Sequence, residues 1–400
     1  MSTHQSNGVN VTFAPRAVVN QPVVGDQGKR SVVERYIQEA IQNGDNMGIP
    51  SRPVPQGGVQ RRALIIAPEC EDYPEGELPT LPATATDVKL VHDMLIKSGY
   101  EGKNIRILCD VCAGNGYSYP TRKNVLDSLE WLTSDITPNA YRYLHFSGHG
   151  VHILSDDKKD MERSKSNIRS NSRIFEQTVP KNELRYYNEA IATRKDVSDK
   201  DYPRDMILDS TLNQYLSKLP QDCTITCTLD CCASGRMINL PVKVVGSGFR
   251  GRVNLPTKQT LGPPETKPAG TDEALNHHSQ EDTTPSPNGE ASVLGAAIEA
   301  FSRFVFQPLS VDPLLVTLHE NLPQREKAMN SVKARILSWS ASHQRQEAWN
   351  HNDGHAGLFT QSFTQAYREQ KMSGSGTFTY KQLYHKARQV VLGDRMNPII

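Results

Sequence analysis

Two stretches of this chain carry residues able to do chemistry: His145-Phe146-Ser147-Gly148-His149-Gly150 and Asp230-Cys231-Cys232-Ala233-Ser234-Gly235. The first offers imidazoles, the second thiols beside a carboxylate. A thiol attacks a carbonyl at neutral pH only when a base takes its proton or its own pKa is lowered. Cys232 precedes Ala233-Ser234-Gly235, a turn of small residues that leaves its side chain and the nearby backbone N–H groups open. Such a turn suits a nucleophile whose own N–H helps to hold an oxyanion. His149 stands between Gly148 and Gly150, which clear space for close approach of a substrate backbone. Cys231 points to the opposite face and shares strand parity with Cys223 and Cys227, a pattern of core residues. His145 lies inside a strand and His152 opens a charged stretch, so both fit the role less well. The pattern is that of a Cys–His hydrolase, provided that a fold joins His149 to Cys232 across 83 positions.

Each stretch ends an apolar run that reads as a buried strand, Tyr141–Ser147 and Cys223–Asp230. Further strands are predicted at Arg61–Ala67, Asn104–Asp110 and Ala334–Ser340. Helices are predicted at 87–98 (capped by Thr86, stopped by Gly99), after Thr121, at Ile207–Leu219, and near 292–306, 356–369 and 378–391. This alternation gives an α/β fold with a mostly parallel central sheet flanked by helices on both faces. Right-handed crossovers put the carboxyl ends of the strands on one edge, where such sheets bind ligands, and both motifs end there.

Residues 1–60, rich in Asn, Gln, Gly, Val and Pro, read as a largely disordered extension with a weak helical patch near Val32–Ile41. The catalytic domain is expected over 61–400, with mobile insertions at 152–186 and 252–290, where charge or proline leaves little apolar surface to bury. The net charge of +1 gives no reason to propose nucleic acid or an acidic membrane as partner. No run has the length of a transmembrane helix, and residues 1–25 lack the order of a secretory signal. Seven cysteines, an odd number set in predicted strands, do not form a disulfide framework, and a cytoplasmic location, with the nucleus as a second site, is expected. The spacing of Cys109 and Cys112, or of Cys223, Cys227 and Cys231, does not make a tetrahedral metal site, and no glycine-rich phosphate loop joins a strand to a helix.

In this order, on these elements, the two motifs resemble the His-box and Cys-box of the metacaspases, the caspase-like cysteine peptidases of fungi, plants and protists. The resemblance runs with gaps from about Arg61 to the C-terminus and includes Pro120–Val125 and Phe378–Val391. It implies a caspase-like fold and a cysteine endopeptidase with Cys232 as nucleophile and His149 as the proton-handling partner. The backbone N–H groups of Gly148 and Cys232 would bind the oxyanion. Asp87, Asp230 and Ser147 match the pocket that gives the family its cleavage after Arg or Lys. Protein or peptide substrates with a basic P1 residue are therefore expected, and a monomer. Self-processing is expected near Arg250 or Arg252, beside the segment 252–290. The alternative reading is a catalytically silent caspase-like scaffold.

Three departures stand out. Ala233 replaces the histidine that usually follows the nucleophile, and Thr84 replaces a pocket cysteine. The positions matching the family's calcium aspartates read Asn188, Asp209, Ser210 and Asn239, so one carboxylate survives. Calcium affinity falls with ligand charge. No required cofactor is expected, and activity should depend weakly on calcium or not at all.

Overall fold

The computed structural model describes residues 3–6, 9–12, 26–46, 58–74, 78–111, 118–154, 187–195, 205–232, 234–238, 240, 242–246, 315–319, 332–342, 356–373 and 378–396. The expected insertion at 252–290, most of that at 152–186 and the helix expected at 292–306 lie outside the described residues. In chain order the elements are β1 (Thr3–Ser6), β2 (Val9–Thr12), α1 (Asp26–Asn43), β3 (Val59–Ala67), α2 (Thr84–Lys97), β4 (Ile105–Cys109), α3 (Arg122–Leu132), β5 (Ile136–Ser147) and β6 (Gly150–Leu154). They continue with β7 (Tyr187–Ala192), β8 (Met206–Leu208), α4 (Asp209–Leu216), β9 (Thr224–Asp230), β10 (Val242–Gly246), β11 (Leu315–His319), β12 (Arg335–Ser340), α5 (Leu358–Met372) and α6 (Tyr380–Met396).

The central sheet has the order β12-β9-β5-β3-β4, and every neighbouring pair in it is parallel. Alternation along β3 divides the core between its two faces. Ala63, Ile65 and Ala67 pack with residues of α1, α2, α5 and α6, whereas Leu64 and Ile66 pack with α3 and α4. Cys223, Cys227 and Cys231 fall together in the second of these clusters, as their parity requires. The sheet and its two helical faces are those expected from the alternation of strands and helices.

Beside this sheet lies a second one, β1-β2-β6-β7-β8, with all pairs antiparallel. The periodicity did not anticipate it. His152 and its neighbours, expected to begin an insertion, belong to β6. The predicted helix at Ile207–Leu219 divides: Ile207 sits in β8, and α4 starts at Asp209. Helix α2 begins at Thr84 with Ala83 at its N-cap, so Thr86 lies inside the first turn and does not cap it. Gly99 does end this helix, at φ +83°. Thr121 caps α3 as expected, its side chain accepting from Asn124 N.

The segment 1–60 is not uniformly unstructured, because α1 buries Ile37, Ala40 and Ile41 against the core. Tyr36 Oη donates to Asp93 at 2.5 Å and lies 2.8 Å from His92 Nδ1, fastening α1 to α2. The turn after α1 then covers the outer edge of β4. Asp45 N donates to Ile105 O at 3.1 Å, and Asn46 Oδ1 accepts from Ile107 N at 2.8 Å. Further along the same edge, Cys109 N donates to Ser118 O at 2.9 Å.

At the amino end of the sheet, two buried arginines cap the carboxyl end of α3. Arg142 Nε donates to Leu132 O at 2.7 Å, and its other nitrogens reach Val59 O at 3.0 Å and Ser134 O at 3.1 Å. Arg62 Nη1 donates to Trp131 O at 2.5 Å, and its guanidinium lies 4.6 Å from the Trp131 ring centroid. Helix C-terminal carbonyls lack intrahelical donors and favour a cation, so the two side chains meet both demands. Structural support thus sits at one end of the sheet and the two motifs at the other.

Candidate active site

Parallel pairing of β5 with β9 brings the two boxes side by side. The register aligns Ser147 with Asp230, the last residue of each strand. Beyond it the chains stay in contact. A Cβ on Gly150 would stand 1.8 Å from Cys232 O and 3.2 Å from Cys231 Sγ. A Cβ on Gly148 would stand 2.9 Å from the Phe146 ring and 3.1 Å from Pro68. Gly150 therefore lets the two boxes press together, Gly148 makes room for Phe146 and Pro68, and at both positions the space is used by protein rather than by a substrate backbone.

His149 is wholly buried, and its Nε2 lies 2.7 Å from Pro79 O. A carbonyl oxygen only accepts, so Nε2 carries the proton. In the neutral ring Nδ1 is then the basic nitrogen. Pro79 belongs to the loop between β3 and α2, and no spacing in the sequence connects it to the His-box. His145 has a different place, with Nδ1 2.8 Å from Thr228 Oγ1, which also meets Tyr143 Oη at 3.0 Å. It is a core histidine.

Cys232 is 1% exposed. Among the other thiols, burial pushes Cys227 up to about 12 and Cys223 up to about 11, Arg142 opposing the latter. Burial, with Asp110 next, raises Cys70 well above the ordinary thiol range. None of these three is a thiolate near neutral pH.

Asp87, Ser147 and Asp230 are fully buried beside the start of α5. Ser147 Oγ donates to Asp87 Oδ2 at 2.5 Å, and Gly357 N donates to Asp87 Oδ1 at 2.8 Å. Asp230 Oδ2 accepts from Thr360 N at 2.9 Å and from Thr360 Oγ1 at 2.7 Å. Two carboxylates thus meet one helix N-terminus, where backbone donors and the dipole favour negative charge. Asp230 caps α5 from another element, and Gly357 and Thr360 are residues that sequence reasoning missed. Thr84, near Asp87, turns inward, its Oγ1 donating to Leu81 O at 2.9 Å.

The Gly148 N–H is already engaged, donating to Asp230 O at 3.2 Å. Its expected place in an oxyanion hole requires that this long bond yield or be shared. His149, Cys232, Asp87, Ser147 and Asp230 have at most 1% exposure, so the site is closed in this conformation.

The calcium positions fall on neighbouring elements, since Ala190 of β7 pairs with Leu208, just before Asp209 and Ser210. Asn188 is on β7 and Asp209 opens α4, where its Oδ1 accepts from Ser210 N at 2.6 Å; Asn239 lies outside the described residues. Among the described residues no group of three or more His, Cys, Asp or Glu could hold a metal ion. Nor is any helix among them long and apolar enough to cross a membrane.

A family model for the peptidase C14 caspase domain matches residues 60–397. The chain belongs to the caspase-domain family. Its relatives include Metacaspase-1 of Schizosaccharomyces pombe, 30% identical over 182 residues that make up 44% of this chain and 35% of that protein. Metacaspase-1 of Candida albicans is 30% identical over 157 residues, 39% of this chain and 30% of that protein. Metacaspase-2 of Trypanosoma brucei brucei is 27% identical over 176 residues, 43% and 42% respectively. The match therefore spans less than half the length of each of these relatives. The resemblance read from the two boxes is borne out at the level of family and fold.

Proposed function

We propose that this chain is a cysteine endopeptidase in which Cys232 and His149 form a dyad that cleaves after Arg or Lys. The observation that carries the reading is the joining of the two boxes at one sheet edge, with the His149 imidazole held through Nε2 on Pro79 O, which makes Nδ1 the basic nitrogen. Cys232 Sγ–H gives its proton to Nδ1, and the sulfur bonds to the scissile carbonyl carbon. The Cys232 N–H, joined by Gly148 N–H once its bond to Asp230 yields, holds the resulting oxyanion. As the intermediate collapses the C–N bond breaks, and the imidazolium returns the proton to the leaving amine. Water, deprotonated by Nδ1, then attacks the thioester. The acid is released and the thiol restored.

Basic specificity is supported by Asp87 and Asp230. A guanidinium or ammonium facing two buried carboxylates gains charge-assisted hydrogen bonds, whereas a neutral side chain brings no counter-charge and an acidic one is repelled. Substrates are accordingly proteins or peptides with a basic P1 residue. Self-cleavage near Arg250 or Arg252 belongs to the same proposal; both residues lie outside those described.

A set of fluorogenic peptides differing only at P1, run against wild type and Cys232→Ala, tests the reading. Release after Arg and Lys that is lost in Cys232→Ala is expected. Cleavage after Asp would refute the pocket, and no release by the reduced wild-type protein would favour a silent scaffold. The same assay with micromolar Ca²⁺ should show little change. A clear rise that Asp209→Ala abolishes would refute the weak calcium dependence.

A further inference from the structure

We propose that Glu69, gripped by Arg30 of α1, is a positioning residue for His149, so that the N-terminal helix helps to align the imidazole. The proposal rests on the reading of His149 as the base. His149 takes its orientation from Pro79 O, and Pro79 lies in the loop between Ala67 at the end of β3 and Thr84 at the start of α2. Glu69 pins that loop from three directions. Its carbonyl accepts from Leu81 N at 2.8 Å, two residues beyond Pro79. Its N–H donates to Asp110 Oδ2 at 2.5 Å, beyond the end of β4. Its carboxyl oxygens accept from Arg30 Nη2 at 3.2 Å and 3.0 Å.

Two further observations set this contact apart from an ordinary surface ion pair. The Glu69 side chain is 2% exposed, and burying a carboxylate is costly, so an apolar residue would fill the place more cheaply. What the carboxyl group adds is direction: it ties the loop to α1. The next residue, Cys70, sits at φ +61°, in the left-handed region that side chains other than glycine rarely adopt. Such backbone persists only where the surroundings over-determine it. Arg30 is itself aimed by Glu34 Oε1, 2.9 Å from its Nε. Asp87 and Asp230 are held separately by Ser147, Gly357 and Thr360, so loosening the loop should leave recognition of the basic side chain in place.

The test uses the full chain with Arg30→Ala, Arg30→Lys, Glu69→Ala and the Arg30→Ala/Glu69→Ala pair, on a fluorogenic peptide with Arg at P1. Arg30 is 42% exposed, so its substitution leaves the core intact. Each single alanine variant should lower kcat about tenfold with KM within about twofold, a small misalignment being enough for that loss. Arg30→Lys should recover most of the rate, and the double variant should be no worse than Glu69→Ala. Unchanged kcat, a change confined to KM, or multiplicative losses in the double variant would overturn the proposal.

Alkylation of Cys232 by iodoacetamide, followed by mass spectrometry, needs no turnover and separates the two ideas. If His149→Ala slows it and Arg30→Ala does not, the positioning role alone fails. If His149→Ala leaves it unchanged, the base assignment fails and the proposal with it. Slowing in both variants supports both.

Discussion

Gly150→Ala is the most direct test of the join between the two boxes. The added methyl would stand 1.8 Å from Cys232 O, 2.9 Å from its carbonyl carbon and 3.2 Å from Cys231 Sγ. The two nearest atoms are backbone, so no side-chain rotation relieves the overlap. Ordinary contact begins at 3.4 Å, and the boxes must therefore part by about 1.6 Å along that line. The β5–β9 ladder just below resists, with Ser147 registered on Asp230. A displacement of about 1 Å between reacting groups costs on the order of 100-fold. We expect kcat to fall about 100-fold or more, equivalent to about 2.7 kcal/mol in the barrier. Overpacking should also lower stability by about 1–3 kcal/mol. Fluorogenic cleavage of an Arg peptide read beside a thermal melt separates the two effects, since a folded variant that still selects Arg over Ala at P1 has lost alignment only. A Gly150→Ala protein with the wild-type rate and melting point would refute the close approach and the dyad proposed on it.

Three other outcomes are expected. Asp230→Asn keeps a side chain able to meet Thr360 but removes one pocket charge, and kcat/KM for Arg and Lys substrates should drop by about 2–5 kcal/mol relative to a neutral P1; an unaltered P1 profile would contradict the pocket. Arg142→Met removes the donors that Arg142 supplies to Leu132 O and Val59 O and leaves Ser134 O with Arg62 Nη1 alone, and should cost about 3–5 kcal/mol of stability with the P1 preference intact, as chemical denaturation would register. Burial, opposed by Arg30, pushes the Glu69 carboxyl up to about 8 from an ordinary 4.5. The folded state then holds that proton more tightly than the unfolded chain, so stability is fully present below about 4.5 and declines as pH rises through about 8. Denaturation midpoints of Glu69→Gln between pH 5 and 9 should lack a decline on the order of 3 kcal/mol that wild type shows, and parallel curves for the two proteins would contradict it.

What was legible in the sequence followed local rules. The strands of the central sheet are continuous apolar runs, and such runs identify buried parallel strands. Their parallel order placed His149 and Cys232 on one edge, and strand parity separated Cys232 from Cys231. What stayed hidden is non-local. Pro79, Gly357 and Thr360 have no spacing relation to the boxes and enter only through tertiary hydrogen bonds. Strands β6 and β7 are short and interrupted by His152 and by Asn188 and Glu189, so neither is a continuous apolar run, and Ile207 of the three-residue β8 was absorbed into the periodicity of the helix that follows. Helix α1 is only weakly amphipathic in sequence. Its burial depends on Ile37, Ala40 and Ile41 meeting a core built from later residues. The engaged Gly148 N–H shows why a motif can name an atom without revealing whether that atom is at liberty.

The turn after α1 has a consequence for self-association. The outer edge of a terminal strand is a template on which another copy can extend the sheet. On β4 that template is already occupied by Asp45 N, Asn46 Oδ1 and Ser118 O. A second chain can polymerise there only after these groups are peeled away, and Asp45 and Asn46 follow directly on the helix that carries Arg30. A lesion that frees α1 would then act twice, loosening the loop behind the imidazole and uncovering a strand prone to aggregate.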